Sequence, residues 1–184
     1  GVSDRCYALM ECLRVGDSRR FEVFAKWIAR QFPVEKYRMI ADVGGGRGEL
    51  SWWLVRFGYH CKIIDPKAKK YYVFPRKLRK RLADRRLIER ITAPVNLENT
   101  AGCDVVVGMH PDGATEPIIE CAAAHRIPFA IVPCCVQRKG LDEEEWVRYL
   151  LEKARWLGFE TREAQLPMRG KNNIIWGLPR IPTT

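Results

Sequence analysis

The sequence predicts an α/β fold in which a mostly parallel sheet is closed by an antiparallel hairpin. From about residue 36 onward, short apolar segments alternate with helical segments, and this alternation is typical of parallel βαβ units. One apolar segment runs directly into a glycine-rich turn and a helix, as ligand-binding strands of such sheets do. The last two strands are joined by a short loop without a helix, which indicates an antiparallel pair.

Length and composition are those of one globular unit. With 184 residues and a 47% hydrophobic content, the chain is large enough for one well-buried core. We therefore expect a single domain over residues 1–184, with a helical lead-in over 1–35 and a core over 36–178. The sequence contains no 18-residue apolar run and no signal-peptide pattern, so we expect no membrane span.

The cysteines and histidines do not follow a disulfide or zinc pattern. The seven cysteines are an odd number without a C-x-x-C pair, and the three histidines are scattered along the chain. A reducing, intracellular compartment is therefore the predicted location, and no metal is expected.

The lead-in is predicted to end in one amphipathic helix. Residues 1–16 are weakly patterned, and residues 6–13 are compatible with either a helix or a strand. Asp17 or Ser18 is expected to cap a helix that ends at Gln31, before Pro33. Its apolar positions form one stripe, so we expect it to pack on the sheet; covering the opening of a binding site is the alternative. The stripe consists of Phe21, Phe24, Ala25, Ile28 and Ala29.

The first two strands indicate a nucleoside site. A strand over residues 38–43 is followed by glycines at 44–46 and 48, and by a helix over 49–57. Glycine lets a backbone approach a ligand closely, and the start of a helix offers N–H groups that lack partners. The second strand, residues 61–64, ends at Asp65, where a carboxylate can accept hydrogen bonds from both hydroxyls of a ribose.

The spacing of the loop distinguishes between nucleoside cofactors. A dinucleotide fingerprint requires Gly or Ala where this sequence has Glu49, whose charge would repel a pyrophosphate. Asp42, Gly44, Gly46 and Gly48 form the pattern D-x-G-x-G-x-G instead. This pattern resembles motif I of the class I, Rossmann-like S-adenosylmethionine-dependent methyltransferases. The resemblance implies S-adenosyl-L-methionine as cofactor, bound by Asp42, Gly44, Gly45, Gly46, Gly48, Asp65, Pro66 and Met109.

A strongly basic segment follows the second strand. Residues 67–90 contain eleven basic and two acidic residues, a net charge of +9 out of +10 for the chain, with Tyr71, Tyr72 and Phe74 interleaved. A segment whose charges are nearly all positive favours an anionic partner, and aromatic rings offer stacking surfaces for unpaired bases. We interpret the segment as an RNA contact; a solvated helix face is the alternative. The candidate RNA-binding residues are Lys69, Lys70, Arg76, Lys77, Arg79, Lys80, Arg81 and, further on, Arg138.

The remaining elements complete the predicted sheet. Strands are expected at residues 87–93, 104–109, 129–132, 160–166 and 173–178, and helices at 116–125 and 142–156, the last opened by a capping box of Asp142 and Glu145. The methyltransferase family closes its sheet with an antiparallel hairpin of this kind. The resemblance thus covers about residues 36–178 and implies a seven-stranded, mostly parallel Rossmann-like sheet with helices on both faces.

The segments after the fourth and fifth strands carry the candidate chemistry. Instead of the N-P-P-Y-like segment of amino-methylating branches, the sequence has His110-Pro111-Asp112-Gly113 and later Pro133-Cys134-Cys135. These segments resemble a smaller branch with H-x-C-G and a Cys-Cys pair, which includes transfer-RNA ribose 2′-O-methyltransferases and methyltransferase-like proteins. Asp112 stands where that branch has Cys. By position, His110 or Asp112 is the candidate catalytic residue and general base.

Each of these candidates has a plainer interpretation. His110 can end the strand and touch only the cofactor, Asp112 and Gly113 can form a turn, and the two cysteines can be small buried residues. A metal shared by His110 and the cysteines lacks an evident fourth ligand.

The predicted function is methyl transfer from S-adenosylmethionine to RNA. One alternative is a methyltransferase-fold protein that binds RNA in an assembly, with a protein partner, without turnover. The other is a protein or small-molecule methyltransferase whose basic segment binds an acidic partner.

Overall fold

The computed structural model describes residues 19–67, 76–134 and 139–182, except for the side chains of residues 79, 83 and 84. The predictions for residues 1–18, including the helix cap at Asp17 or Ser18, lie outside the described residues. Within the described ranges, no helix is both long enough and apolar enough to span a membrane.

Seven strands form one sheet in the order β3-β2-β1-β4-β5-β7-β6. All pairs are parallel except β5 with β7 and β6 with β7, so the predicted antiparallel closure is confirmed. The strands are β1 (Met39–Val43), β2 (His60–Ile64), β3 (Ile88–Ile91), β4 (Val105–Met109), β5 (Phe129–Val132), β6 (Phe159–Gln165) and β7 (Asn173–Pro179).

The helices lie between the strands, as the alternation predicts. They are α1 (Arg20–Gln31), α2 (Glu49–Arg56), α3 (Arg76–Asp84), α4 (Leu97–Thr100), α5 (Thr115–His125) and α6 (Glu143–Trp156), with a 3₁₀ turn at Asp112–Ala114. The Asp142–Glu145 capping box of α6 is present as predicted. The sequence prediction missed α3 inside the basic segment and α4, which is capped by Asn96 and Asn99.

Apolar side chains cover both faces of the sheet, because successive strand residues point to opposite sides. Ile40 and Val105 pack with residues of α1 and α2, while their neighbours Ala41 and Val106 pack with residues of α5 and α6. Helices therefore lie on both faces, as the resemblance implies, and the ends of the central strands are left as the open part of the sheet.

The strand order creates a switch point between β1 and β4. After β1 the chain proceeds to β2 on one side, and it returns later to place β4 on the other side. In open α/β sheets, ligands bind beyond the carboxyl ends of the strands at such a point, because the connecting loops diverge there and leave a crevice.

Candidate functional site

A cavity of about 640 Å³ lies beyond the carboxyl ends of the central strands. Its volume falls within the range of about 300–1,000 Å³ that is usual for small-molecule sites. The loops after β1, β2 and β4 line it, so it occupies the switch point of the sheet. We call its two regions the glycine-loop end, formed by Gly44, Gly45, Gly46, Glu49 and Asp65 with the buried Asp42, and the His110 end, formed by His110, Asp112, Gly113, Arg20 and Phe21.

The glycine loop and Asp65 lie side by side in this cavity. The Gly46 N–H donates to Asp65 Oδ2 at 3.0 Å, and the Lys67 N–H donates to Asp65 Oδ1 at 2.9 Å. Asp65 is only 8% exposed, so its carboxylate has a defined orientation. The two features from which the sequence predicts a nucleoside site are therefore adjacent in space.

Two glycines of the loop are required by geometry. Gly44 has φ +68°, and a Cβ there would lie 3.3 Å from Pro111 Cα, so the loops after β1 and β4 approach closely. A Cβ on Gly45 would lie 2.8 Å from Asp42 Oδ2, closer than real side chains allow. The Arg90 guanidinium also donates to the Gly46 carbonyl and ties β3 to the loop. The spacing of the glycines thus reflects close packing around Asp42.

Asp42 is a buried carboxyl group with a raised pKa. Burial raises the pKa of Asp42 to about 6; a hydrogen bond from Ser51 opposes this shift, Glu49 adds to it and Arg90 opposes it. Ser51 Oγ donates to Asp42 Oδ2 at 2.7 Å. At the glycine-loop end three carboxyl groups, those of Asp42, Glu49 and Asp65, therefore outnumber the cation of Lys67, and this excess suits a cationic ligand.

The His110 end has an unusual backbone. His110 and Asp112 have φ angles of +51° and +50°, in the left-handed region that non-glycine residues seldom adopt. His110 Nδ1 and Asp112 Oδ1 are buried and have no hydrogen-bond partner among the described residues. Strained backbone and unsatisfied buried polar atoms together are typical of functional sites.

The imidazole of His110 is held toward its neutral form. Burial lowers the pKa of His110 below its ordinary value, and the positive charge of Arg20 adds to this effect. A backbone hydrogen bond with Pro133 and the negative charge of Asp112 oppose it, while Lys171 lowers the pKa slightly further. A neutral imidazole at physiological pH is able to accept a proton, as a general base must.

The predicted site residues fall into three groups by position. Asp42, Gly44, Gly45, Gly46, Asp65, Pro66, Met109, His110 and Asp112 all line the cavity. Gly48 is at the N-cap of α2, behind the loop, with φ +90°. Arg76, Lys77, Arg79, Lys80 and Arg81 lie on α3, whereas Lys69, Lys70 and Arg138 lie outside the described residues.

Several lining residues were missed by the sequence prediction. Arg20 and Phe21 reach the cavity from the first turn of α1, although the body of α1 packs into the core as expected. Pro94 and Val95 line it from the segment after β3. No local signal marks these four residues, because their contact with the cavity depends on tertiary packing; only the positions of Pro94 and Val95 after a strand end point toward it. Cys134, in the segment that the sequence places after the fifth strand, also lines the cavity.

The described cysteines are buried side chains, and the described His, Cys, Asp and Glu side chains are spread over the structure. Cys61, Cys103, Cys121 and Cys134 are buried. Among the residues that the structure describes, no three His, Cys, Asp or Glu side chains are grouped so as to hold a metal ion.

Comparisons with known proteins identify the fold. Neither a scan against protein-family models nor a search of curated proteins found a match. Solved structures do match: precorrin-6y C5,15-methyltransferase from Geobacter metallireducens has a TM-score of 0.55 at 15% identity, over 85% of this chain and 86% of that one. The fold is that of the methyltransferases.

Other structures with the methyltransferase fold have different substrates. Magnesium protoporphyrin IX methyltransferase from Synechocystis, solved with bound SAH, has a TM-score of 0.57 at 15% identity, over 88% of this chain and 82% of that one. The 23S rRNA methyltransferase ErmE has a TM-score of 0.53 at 19% identity, over 90% of this chain and 69% of that one. The predicted fold class is confirmed, while the resemblance to the H-x-C-G branch stays a prediction.

Proposed function

We propose that the protein is an S-adenosylmethionine-dependent methyltransferase that acts on RNA. The observation that carries the proposal is one continuous cavity that joins the glycine loop and Asp65 to His110 and Asp112. A methyl donor bound at the glycine-loop end would thus lie in the same cavity as the candidate base, His110. Neighbours with the same fold were solved with S-adenosylmethionine (SAM) or S-adenosylhomocysteine (SAH), which supports this choice of cofactor.

The residues of the glycine-loop end fit the cofactor. Asp65, already oriented by two backbone N–H groups, would accept hydrogen bonds from the ribose hydroxyls. The loop at Gly44 and Gly45 has no room for side chains and leaves its backbone close to the ligand. Asp42 and Glu49 would offset the positive charge of the ligand. When bound there, S-adenosylmethionine would supply an activated methyl group.

The chain itself must hold the acceptor in line and remove one proton. His110 is the better candidate for the proton, because its imidazole is held neutral at the cavity while Nδ1 has no partner among the described residues. Asp112 would orient the acceptor through its buried Oδ1. Positioning of the reacting groups can lower the barrier of such a displacement by several kcal/mol, on the order of 7–11 kcal/mol in well-oriented cases.

RNA is the proposed acceptor because of the basic segment. Arg76, Lys77, Lys80 and Arg81 are exposed on α3, and no ion pair between described residues involves them. Uncompensated cations on one helix favour a phosphate backbone. The likeness to the 23S rRNA methyltransferase is compatible with this acceptor, although other neighbours are named for porphyrin-type substrates.

The first test is calorimetry with S-adenosylmethionine. We expect the native protein to bind it and Asp65→Ala to lose about tenfold or more in affinity, since a charged hydrogen-bonding group is removed. Asp104→Ala is the matched control: Asp104 also accepts a backbone N–H, from Met39 at 2.8 Å, but at the opposite end of the sheet. Absence of heat with the native protein would favour the RNA-binding alternative without turnover.

The second test assigns the acceptor. The protein is incubated with methyl-labelled cofactor and either total RNA or total protein, and His110→Ala serves as the catalytic variant. We expect label on RNA, and strongly reduced label with His110→Ala. Label confined to polypeptide would contradict the RNA assignment while leaving the methyltransferase assignment intact.

A further inference from the structure

We propose that Arg20 is a specificity-determining residue that binds a phosphate group of the acceptor at the His110 end of the cavity. The inference rests on the proposed function and deepens it, because it assigns an anion subsite next to the candidate base. It concerns a residue of α1, far in sequence from the glycine loop and from the basic segment.

The first support is position. Arg20 lies in the first turn of α1 and lines the same cavity as His110, Asp112 and Gly113. The body of α1 is fixed in the core by Phe24, Trp27 and Ile28, which are at most 6% exposed. The ring of Trp27 also contacts the ring of Trp176 on β7, with centroids 4.9 Å apart. Because the helix is anchored in this way, its first turn has a defined place beside the cavity.

The second support is the state of the guanidinium group. The guanidinium carbon lies 4.8 Å from the centroid of the Phe21 ring, a distance at which a cation–π contact helps to position the guanidinium group. Among the described residues, no ion pair or hydrogen bond involves Arg20. A half-buried arginine with an unused fork of donors is suited to bind an anion.

The third support is the distribution of charge along the cavity. At the glycine-loop end the carboxyl groups of Asp42, Glu49 and Asp65 outnumber the cation of Lys67, whereas at the His110 end the cation of Arg20 accompanies the carboxyl group of Asp112. Arg20 is close enough to His110 to lower the pKa of the imidazole. A cation at this point would keep the base neutral and would attract an anionic acceptor. Of the two anions that a guanidinium fork recognises, carboxylate and phosphate, phosphate agrees with the exposed cations of α3, which form no ion pair with another described residue.

The test measures binding of short random-sequence RNA oligonucleotides, with and without saturating S-adenosylhomocysteine. Oligonucleotides of the same length with uncharged methylphosphonate linkages provide the same bases without the anions. We expect Arg20→Gln to weaken binding of the charged RNA about tenfold and to reduce its salt dependence by about one ion. Binding of the uncharged series should not change, and Arg20→Lys should restore only part of the affinity because it lacks the fork.

The matched control is Arg30→Gln, which removes the same charge from an exposed position at the other end of α1. Equal RNA affinity of Arg20→Gln and Arg30→Gln would overturn the inference, as would failure of the native protein to bind the charged RNA. A parallel titration with a poly-glutamate peptide distinguishes a carboxylate subsite from a phosphate subsite. If Arg20→Gln weakened binding of that peptide but not of RNA, the inference would also be overturned. RNA binding is also measured without S-adenosylhomocysteine. If the native protein did not bind the cofactor, the proposed function would be contradicted, but the effect of Arg20→Gln on RNA binding could still be read from the measurements without cofactor.

Discussion

At the scale of single residues, Asp42 is the group whose chemistry is most altered by its surroundings. Its carboxyl group is buried beneath the glycine loop, and its pKa is raised to about 6 by that burial. Ser51 donates a side-chain hydrogen bond to it, while Glu49 lies near enough to disfavour its charge and Arg90 to favour it. The ionised form is therefore costly in the free protein and is favoured by a cationic ligand.

The affinity for S-adenosylmethionine should consequently depend on pH. A cation binds better when Asp42 is ionised, so affinity should rise as pH increases through about 6, by up to tenfold per unit below that value. Calorimetry from about pH 5 to about pH 7.5 measures this dependence, and proton release should accompany binding at the lower end.

Two variants separate Asp42 from other titrating groups. Asp42→Asn should remove the dependence near pH 6 and bind more weakly at pH 7, and Ser51→Ala should move the midpoint to higher pH because the stabilising hydrogen bond is lost. A midpoint that is unchanged by both variants would assign the dependence to another group, such as His110.

At the scale of helices and strands, Glu116 joins α5 to α6. Its carboxylate accepts hydrogen bonds from Tyr149 Oη at 2.6 Å and Lys153 Nζ at 3.0 Å, and it pairs with Lys139 Nζ at 3.0 Å. Burial alone would raise the pKa of Glu116, but these bonds outweigh it and lower the pKa to about 2. The ionised carboxylate thus stabilises the folded state.

We predict that Glu116→Gln lowers the free energy of unfolding by about 1–3 kcal/mol at pH 7, the usual cost of removing a charged hydrogen-bonding group. The folded-state pKa is depressed, so the contribution is full above the ordinary value of 4.5 and is lost as pH falls toward about 2. Urea denaturation at neutral and acidic pH checks both statements. The control is Glu152→Gln, because Glu152 is an exposed glutamate of α6 outside the described ion pairs. If the native protein and Glu116→Gln differed in free energy of unfolding by the same amount at both pH values, the assignment would be contradicted.

Elements with strong local signals could be predicted from the sequence. The limits of α6 follow from its capping box and its periodic apolar face, and β5 follows from an uninterrupted apolar run. The short helix α4 was missed because four residues carry no periodicity, although Asn96 and Asn99 form its cap. Helix α3 was missed because its nine residues contain few apolar positions.

The residues of the candidate site also divide into those that local sequence spacing could predict and those that it could not. Asp42, the glycines and Asp65 could be predicted because a strand, a turn and the next strand place them at fixed spacings. Arg20 and Phe21 could not, since only the packing of α1 against the core brings them to the cavity. The left-handed backbone of His110 and Asp112 could not be predicted either, since Asp and His adopt it more often than most non-glycine residues but still seldom.

At the scale of the whole molecule, the basic charge is concentrated near one edge of the sheet. Helix α3 connects β2 to β3, and β3 is the edge strand beyond β2. Ion pairs that neutralise cations elsewhere, such as those of Lys26 and Lys153, do not occur on α3 among its described side chains. This edge is therefore where a phosphate backbone would bind most strongly.

Reversal of Lys77, Lys80 and Arg81 to Glu should reduce RNA affinity by about 10³-fold or more at moderate salt, because several phosphate contacts are lost. Affinity for S-adenosylmethionine should stay nearly unchanged. Filter binding at several salt concentrations measures the loss, and reversal of the exposed Arg30, Arg155 and Arg180 is the matched control. An equal loss in both triple variants would indicate a general charge effect and would make α3 a solvated face.

The position of β7 has a consequence for synthesis of the protein. β7 lies between β5 and β6, yet it is the last of the seven strands to leave the ribosome. Until then, β5 exposes an apolar, unpaired edge and β6 has no partner to pair with, which is a state prone to aggregation. The β5 edge of the nascent chain should therefore stay open to aggregation, or to a chaperone that shields it, until β7 has left the ribosome and paired with β5.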